Sequence, residues 1–255
     1  MGTASFVRLR NVSKSFGAVP ALEAIDLEVQ RGDFVSLIGP SGCGKSTLLR
    51  MIAGIAPPSA GAIQVEGQPP EAVRRDMFFV FQDATLLPWR RVASNVGLPL
   101  ELRREAPERR RERVREMLDL VDLLPAADKY PWQLSGGMRM RASLARALSI
   151  APRILLMDEP FGSLDEMSRD RLNEDLLALR ERAPFTAFFV THSVAEAVFL
   201  SNRIVVLSPS PGRIAARIEV PFPYPRRGEL REDPQFLGLL AQTTAALRSV
   251  RPAPR

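Results

Sequence analysis

The 255-residue sequence predicts an α/β fold built on a parallel sheet. Three observations predict it. Short apolar runs of buried-strand type, at 34–38, 77–81, 154–157 and 185–190, each stop at a glycine or a polar tip. Between 153 and 208 such runs alternate with helical stretches, the pattern of βαβ units. The first run passes directly into a glycine-rich loop and then into the helix-forming TLLRMIA.

Taken in order, residues 6–82 read as strands around that loop and its helix, which runs from Lys45 to about Gly54. Residues 94–150 are mostly helical and interrupt two halves of a sheet. Proline crowds PSPGRI and PFPYPRRG, after which Phe236 to Leu247 reads as an amphipathic helix and RPAPR as a frayed end. There is no internal repeat and no low-complexity block.

Composition narrows the classes of function. An apolar fraction of 45% allows a sizeable core. No run of 18 apolar residues exists, so no membrane-spanning helix is expected. The N-terminal MGTASFVRLRNV lacks a signal-peptide core and fails the myristoylation pattern, which points to the cytosol. A single cysteine excludes an internal disulfide. The net charge of +6 and pI of about 10.3 raise nucleic acid as a partner. Much of that charge lies in RREAPERRRERVR, where Glu105, Glu108 and Glu112 interleave at helical spacing and no aromatic residue can stack on a base. A solvated helix face, and no nucleic acid, is the expectation.

The stretch Gly39-Pro40-Ser41-Gly42-Cys43-Gly44-Lys45-Ser46-Thr47 fits G-x-x-x-x-G-K-[ST] in the strand–loop–helix context that the motif requires. Its glycines let backbone N–H groups turn towards a di- or triphosphate. Lys45 supplies a compact charge to the terminal phosphates, and the Ser46 hydroxyl is a Mg²⁺ ligand. Cys43 reads as a small loop residue and not a nucleophile.

Further carboxylate and imidazole chemistry sits at the other strand tips. The run ending in Met157 meets two adjacent acids, Asp158 and Glu159, whose side chains point to opposite sides. Alone, Asp-Glu-Pro could be an ordinary strand-ending turn; beside a phosphate loop, a metal shell and a water become its natural partners. His192, the only histidine, follows the 185–190 run and could hold a γ-phosphate or an attacking water. Gln82, after the run at 77–81, offers a neutral amide to metal or water. Gly39 onward, Gln82, Asp158–Glu159 and His192 are therefore expected to converge on one site.

The set GPSGCGKST, Gln82, LSGGM, ILLMDEP, Ser163-Leu164-Asp165 and His192, in this order over 39–192, resembles the ATP-hydrolysing subunit of an ABC transporter. The fuller strings FQDATLLPWRRVASNV, LSGGMRMR and THSVAEAVFLSNRIVVLSPSPGRI are similar to the nitrate/sulfonate/taurine import branch. The resemblance implies a P-loop NTPase, an ABC cassette with a RecA-like core, an antiparallel β subdomain and an inserted helical subdomain. It implies an ATPase domain over 1–225, with the RecA-like and β parts at 1–88 and 153–225 and the helical part at 89–152, and a helical tail over 226–255. ATP and Mg²⁺ are the implied cofactors. Lys45, Ser46 and the loop from Gly39 to Thr47 would take the phosphates, Ser46, Asp158 and Gln82 the metal. Glu159 would be the general base, His192 the γ-phosphate switch, and Phe16 would stack on adenine where the family usually has tyrosine. Ser135, Gly136 and Gly137 would close on the ATP of a second copy, with Asp165 in the loop crossing between copies. Trp132 departs from the family pattern, with no role that the sequence explains.

The implied partners are a second copy of the chain, a membrane permease met near Gln82–Arg91, and, indirectly, an extracytoplasmic solute-binding protein. The implied location is peripheral, on the cytoplasmic face of the membrane. For the permease contact two readings of Leu86, Leu87 and Trp89 stand side by side: core of the helical insert, or anchors of a groove that takes a partner helix. A cassette ATPase acting on nucleic acid is the competing function. Such proteins usually carry a long coiled-coil insertion or two cassettes in one chain, and here Lys45 and Ser135 are under a hundred residues apart.

Overall fold

The computed structural model describes residues 5–250. The N-terminal tetrapeptide, part of the stretch read for targeting signals, and the RPAPR end lie outside the described residues. Two sheets organise the chain. Strands β1 (Val7–Phe16), β2 (Val19–Val29) and β4 (Ala60–Val65) make an antiparallel sheet in the order β2-β1-β4. Strands β3 (Phe34–Ile38), β5 (Met77–Val80), β6 (Ile154–Asp158), β7 (Thr186–Val190), β8 (Arg203–Leu207) and β9 (Ile214–Glu219) form the second, in the order β5-β6-β7-β3-β8-β9. All pairings in it are parallel except β8 with β9.

The central strands are almost wholly apolar because both their faces are covered, Ser36 and Thr186 being buried exceptions. Phe34 and Ile38 of β3, with Leu155 and Met157 of β6 and Phe189 of β7, enter one core cluster. Val35, Leu37, Leu156 and Phe188, the alternate positions, enter the other. That second cluster also takes Leu9, Val12 and Leu27 of the small sheet and Leu48, Leu49 and Ile52 of α1 (Lys45–Ile52). Fully burying such a side chain contributes about 1.5–3 kcal/mol. The phosphate-loop helix is therefore clamped between two sheets.

The stretch between β5 and β6 is helical: α2 (Val92–Val96), α3 (Leu98–Leu102), α4 (Pro107–Leu120) and α5 (Gly136–Leu148). Pro107 starts α4, where its missing N–H costs nothing. The arginine-rich run is a solvated face, as expected, with Glu105–Arg109 and Glu108–Arg111 pairs at 3.7 Å and Arg113–Glu116 at 2.9 Å. After β6 come α6 (Glu166–Arg182) and α7 (Val194–Leu200), and the tail ends in α8 (Pro234–Ser249), whose buried Phe236 belongs to the main core.

Element ends differ in detail from the sequence reading. Helix α1 stops at Ile52, with Gly54 in the left-handed conformation at φ 65° beyond it. Strand β5 stops at Val80 and β7 at Val190, so Gln82 and His192 stand two residues beyond their strand tips. The last helix exceeds the 236–247 segment at both ends, because Asp233 caps it and Pro234 takes its first turn.

Candidate active site

Sheet order brings the site together. The strands that lead to Gln82, Asp158–Glu159, His192 and Gly39 are β5, β6, β7 and β3, four consecutive neighbours with their C-terminal ends on one edge. That edge is where open α/β sheets bind ligands.

At β3 the loop 39–44 wraps closely. A Cβ on Gly39 would stand 2.8 Å from the Leu207 carbonyl, and one on Gly44, at φ 96°, would meet the Leu22 side chain at 2.7 Å. Pro40 is half-buried, Ser41 and Gly42 are exposed at the tip, and Thr47 is half-buried in the first turn of α1. The backbone N–H groups of Gly44, Ser46 and Thr47 donate no hydrogen bond among the described residues, which leaves a cradle of donors at a helix start. Lys45 is buried, and its Nζ donates to the carbonyls of Gly39 and Pro40 at 2.9 Å each. Its charge is thus held at the cradle's floor, with no carboxylate among the described residues paired to it. Cys43 is fully buried, and burial pushes its thiol up despite nearby Lys45, so it has no thiolate character to make it a nucleophile.

Across the strand tips the Ser46 hydroxyl donates to Asp158 Oδ1 at 2.8 Å. Two oxygen donors on one spot suit a hard cation that keeps most of its own water, as Mg²⁺ does. Gln82 lies further out: its Nε2 is 3.2 Å from where a Cβ on Gly162 would sit, against the turn that follows Glu159. His192 Nε2 meets Glu159 Oε1 at 2.6 Å. Glu159 has φ 50°, left-handed for a residue with a side chain, and its N–H is tied to the Val190 carbonyl at 3.0 Å. Such a conformation costs on the order of 1–3 kcal/mol and persists where surrounding structure imposes it. Here it turns the carboxylate towards the histidine that follows the neighbouring strand.

Phe16, at the end of β1, is 58% exposed, with the Lys14 ammonium 5.4 Å from its ring centroid. One aromatic face is therefore open to a planar ligand. Ser135 caps α5 by accepting the Met138 N–H at 3.2 Å, and it is exposed. No hydrogen bond or ion pair among the described residues joins Ser135–Gly137 to the 39–47 loop. Asp165 likewise caps α6 by accepting the Ser168 N–H at 2.9 Å, and that bond holds its carboxyl below the usual range. Three residues before Ser135, Trp132 is exposed, one face stacked on Tyr130 at 4.5 Å between ring centroids.

Leu86 packs on the core, as the first reading of this segment has it, while Trp89 is 70% exposed. Trp89, Arg90 and Arg91 line a groove of ≈ 650 Å³ with Val114 and Leu118 of α4. Sequence reasoning missed Arg146 of α5. Its buried guanidinium donates to the carbonyls of Ala84 and Thr85, at 2.9 Å each, and fastens the segment after Gln82 to the helix that starts at Gly136. An arginine inside the run Ser143-Leu-Ala-Arg-Ala-Leu was the available signal, since a lone cation on an apolar helix face needs partners.

The sequence pattern of the ABC transporter family matches residues 22–162. The nitrate import ATP-binding protein NrtC of Synechococcus elongatus is 45% identical over 94% of the chain, which spans only 37% of that relative's length. NrtD of the same organism, also a nitrate import ATP-binding protein, is 40% identical over 92% of the chain and 88% of its own length. Among solved structures, the dimeric ATP-binding cassette MJ0796 in a post-hydrolysis state, bound to ADP and Pi, superposes with a TM-score of 0.74 at 34% identity. That match covers 85% of this chain and 99% of that one.

Proposed function

The chain belongs to the ABC transporter family, and from that footing we propose that it is the ATP-hydrolysing subunit of an importer. The observation that carries the reading is the Glu159–His192 contact, set beside the Ser46–Asp158 pair and above the Lys45 cradle. On this reading the N–H groups of 44–47 and the Lys45 ammonium hold the phosphates of ATP. Ser46 and Asp158, with Gln82, hold a Mg²⁺ ion, which supplies charge neutralisation on the phosphate oxygens. Glu159 takes the proton of an in-line water. His192 keeps one carboxylate oxygen engaged and so orients the other towards that water. Phe16 receives the adenine on its open face.

Ser135, Gly136 and Gly137 act on the nucleotide of a second copy, with Asp165 at the crossing between copies. The groove behind Trp89 receives a short helix of a membrane permease, and Gln82 and the Arg146-held segment carry the nucleotide state to it. No helix among the described residues is long and apolar enough to cross a membrane, so on this reading the permease makes the crossing and the chain sits on its cytoplasmic face. The nitrate import role of NrtC and NrtD supports a small anion of the nitrate/sulfonate/taurine type as solute. Selectivity then lies with the permease and an extracytoplasmic binding protein.

Replacing Glu159 with Gln tests this. Phosphate release should fall by about 10²–10⁴-fold, the worth of a general base, while Mg²⁺-ATP drives a stable dimer detectable by size-exclusion chromatography. A monomeric or fully active E159Q protein refutes the reading.

A further inference from the structure

His192 is about half exposed, so packing does not hold its imidazole. What holds the loop that carries it is a buried polar ring that the sequence did not announce. Ser193 caps α7, its hydroxyl accepting the Glu196 N–H at 3.3 Å. The spacing Ser193-x-x-Glu196 is that of a capping box, in which the glutamate ordinarily returns to the N–H of the capping serine. Here a threonine stands between them. The Ser193 N–H donates to Thr191 Oγ1 at 2.9 Å, and Thr191 Oγ1 in turn donates to Glu196 Oε2. The relay closes a ring beside His192, whose immediate neighbours in sequence, Thr191 and Ser193, are both members of it. The Thr191 N–H is also bonded to the Leu37 carbonyl of β3, at 3.3 Å, which ties the ring to the strand that feeds the phosphate loop.

Glu196 is 4% exposed, an expensive place for a carboxylate unless partners compensate. Arg169 of α6 places its Nε 3.6 Å from the other carboxylate oxygen. The tail contributes as well. Arg231 lies on the Phe199 ring at 3.9 Å and pairs with Asp170 of α6 at 2.8 Å, and its charge acts on Glu196. Further along α7, buried Arg226 donates to the carbonyls of Val198, Phe199 and Ser201 at 2.8–3.1 Å, and the Tyr224 hydroxyl donates to that of Leu200 at 2.7 Å. Both ends of a seven-residue helix are thereby pinned, one by the Thr191–Glu196 ring and the other by the tail.

We propose that Glu196, acting through Thr191, is a positioning residue for His192, and that the tail segment 224–231 completes the brace by fixing α7. The brace keeps His192 on Glu159 while leaving the imidazole exposed to the nucleotide. This role rests on the reading of His192 as a hydrolytic residue.

Because His192 is the only histidine, its Cε1–H resonance in the proton NMR spectrum of the full chain reports the imidazole without assignment. Thr191→Val and Glu196→Gln should each shift and broaden that resonance, and Thr191→Ser, which keeps the hydroxyl, should restore it. Phosphate release should drop about tenfold in Thr191→Val and Glu196→Gln, with the KM for ATP held within about twofold, since the Lys45 cradle is untouched. Arg231→Met should give the same signature more weakly. In a His192→Ala background the Glu196→Gln change should add little, the non-additivity expected of residues acting as one unit. An unchanged His192 resonance in both Thr191→Val and Glu196→Gln overturns the brace, as does full additivity with His192→Ala. If His192→Ala alone kept wild-type phosphate release, the hydrolytic reading would fall, while the resonance would still decide whether the brace exists. Should Glu196→Gln not fold, Thr191→Val and Thr191→Ser carry the test.

Discussion

Two serine- and glycine-bearing helix starts, at 39–47 and at 135–137, offer similar backbone chemistry in opposite surroundings. The first is clamped between two sheets, with Lys45 buried at its floor and Asp158 across from Ser46. The second is exposed at its serine, which only caps α5; no carboxylate among the described residues bonds to it, and the nearby Arg139 guanidinium is engaged with the Leu134 carbonyl at 2.9 Å. Glycine and a helix N-terminus therefore do not by themselves make a complete anion site. The difference lies in what the fold places opposite: among the described residues, only the first loop has a buried lysine and a carboxylate set against it.

Removing the buried charge should break the contrast most. Lys45→Ala should weaken ATP binding to the monomer by roughly 10- to 100-fold, the worth of charged hydrogen bonds, and abolish phosphate release; equilibrium dialysis with labelled ATP reads the first. Ser135→Arg should leave monomer binding near wild type yet cut hydrolysis by about 10²–10³-fold, like the loss of a transition-state donor. If monomer binding collapsed as well, the two loops would serve one nucleotide in one chain. Phe16→Ala should raise the Kd for ATP about tenfold, within the 1–3 kcal/mol of base–aromatic stacking, and Phe16→Tyr should leave it unchanged.

The smallest effect belongs to Asp165. Its carboxyl titrates below the usual range in the folded chain because the Ser168 N–H binds the charged form. The stability it adds is therefore present above the ordinary aspartate pKa and is lost as pH falls through the lowered one. Asp165→Ala should lower the thermal midpoint slightly at neutral pH, and the gap to wild type should close in acid; a gap independent of pH would mean that the cap acts without its charge.

Much of the site was legible before any coordinates. The loop 39–47 announced itself because a phosphate cradle demands glycines, a lysine and a hydroxyl at fixed intervals on one continuous segment. The strands at 34–38 and 154–158 were equally plain, since burial on both faces leaves no polar alternation. Arg146 and Glu196 escaped notice because each looks, in sequence, like an ordinary helical residue. Their importance appears only when a distant carbonyl or a buried hydroxyl is found against them.

By itself, then, the sequence determined the apolar strands at 34–38, 77–81, 154–157 and 185–190, which loop has the phosphate-cradle pattern, and which side chains offer acid, base and metal-binding chemistry, because these are properties of contiguous residues. The tertiary structure alone decided that β5, β6, β7 and β3 lie side by side, that Ser46 reaches Asp158 across 112 residues, that Glu159 turns onto His192, and that the tail pins α7. Lateral strand order and long-range contacts arise from how whole apolar faces pack against one another. A motif carries no record of its neighbours, so the assembly of the site had to come from the fold.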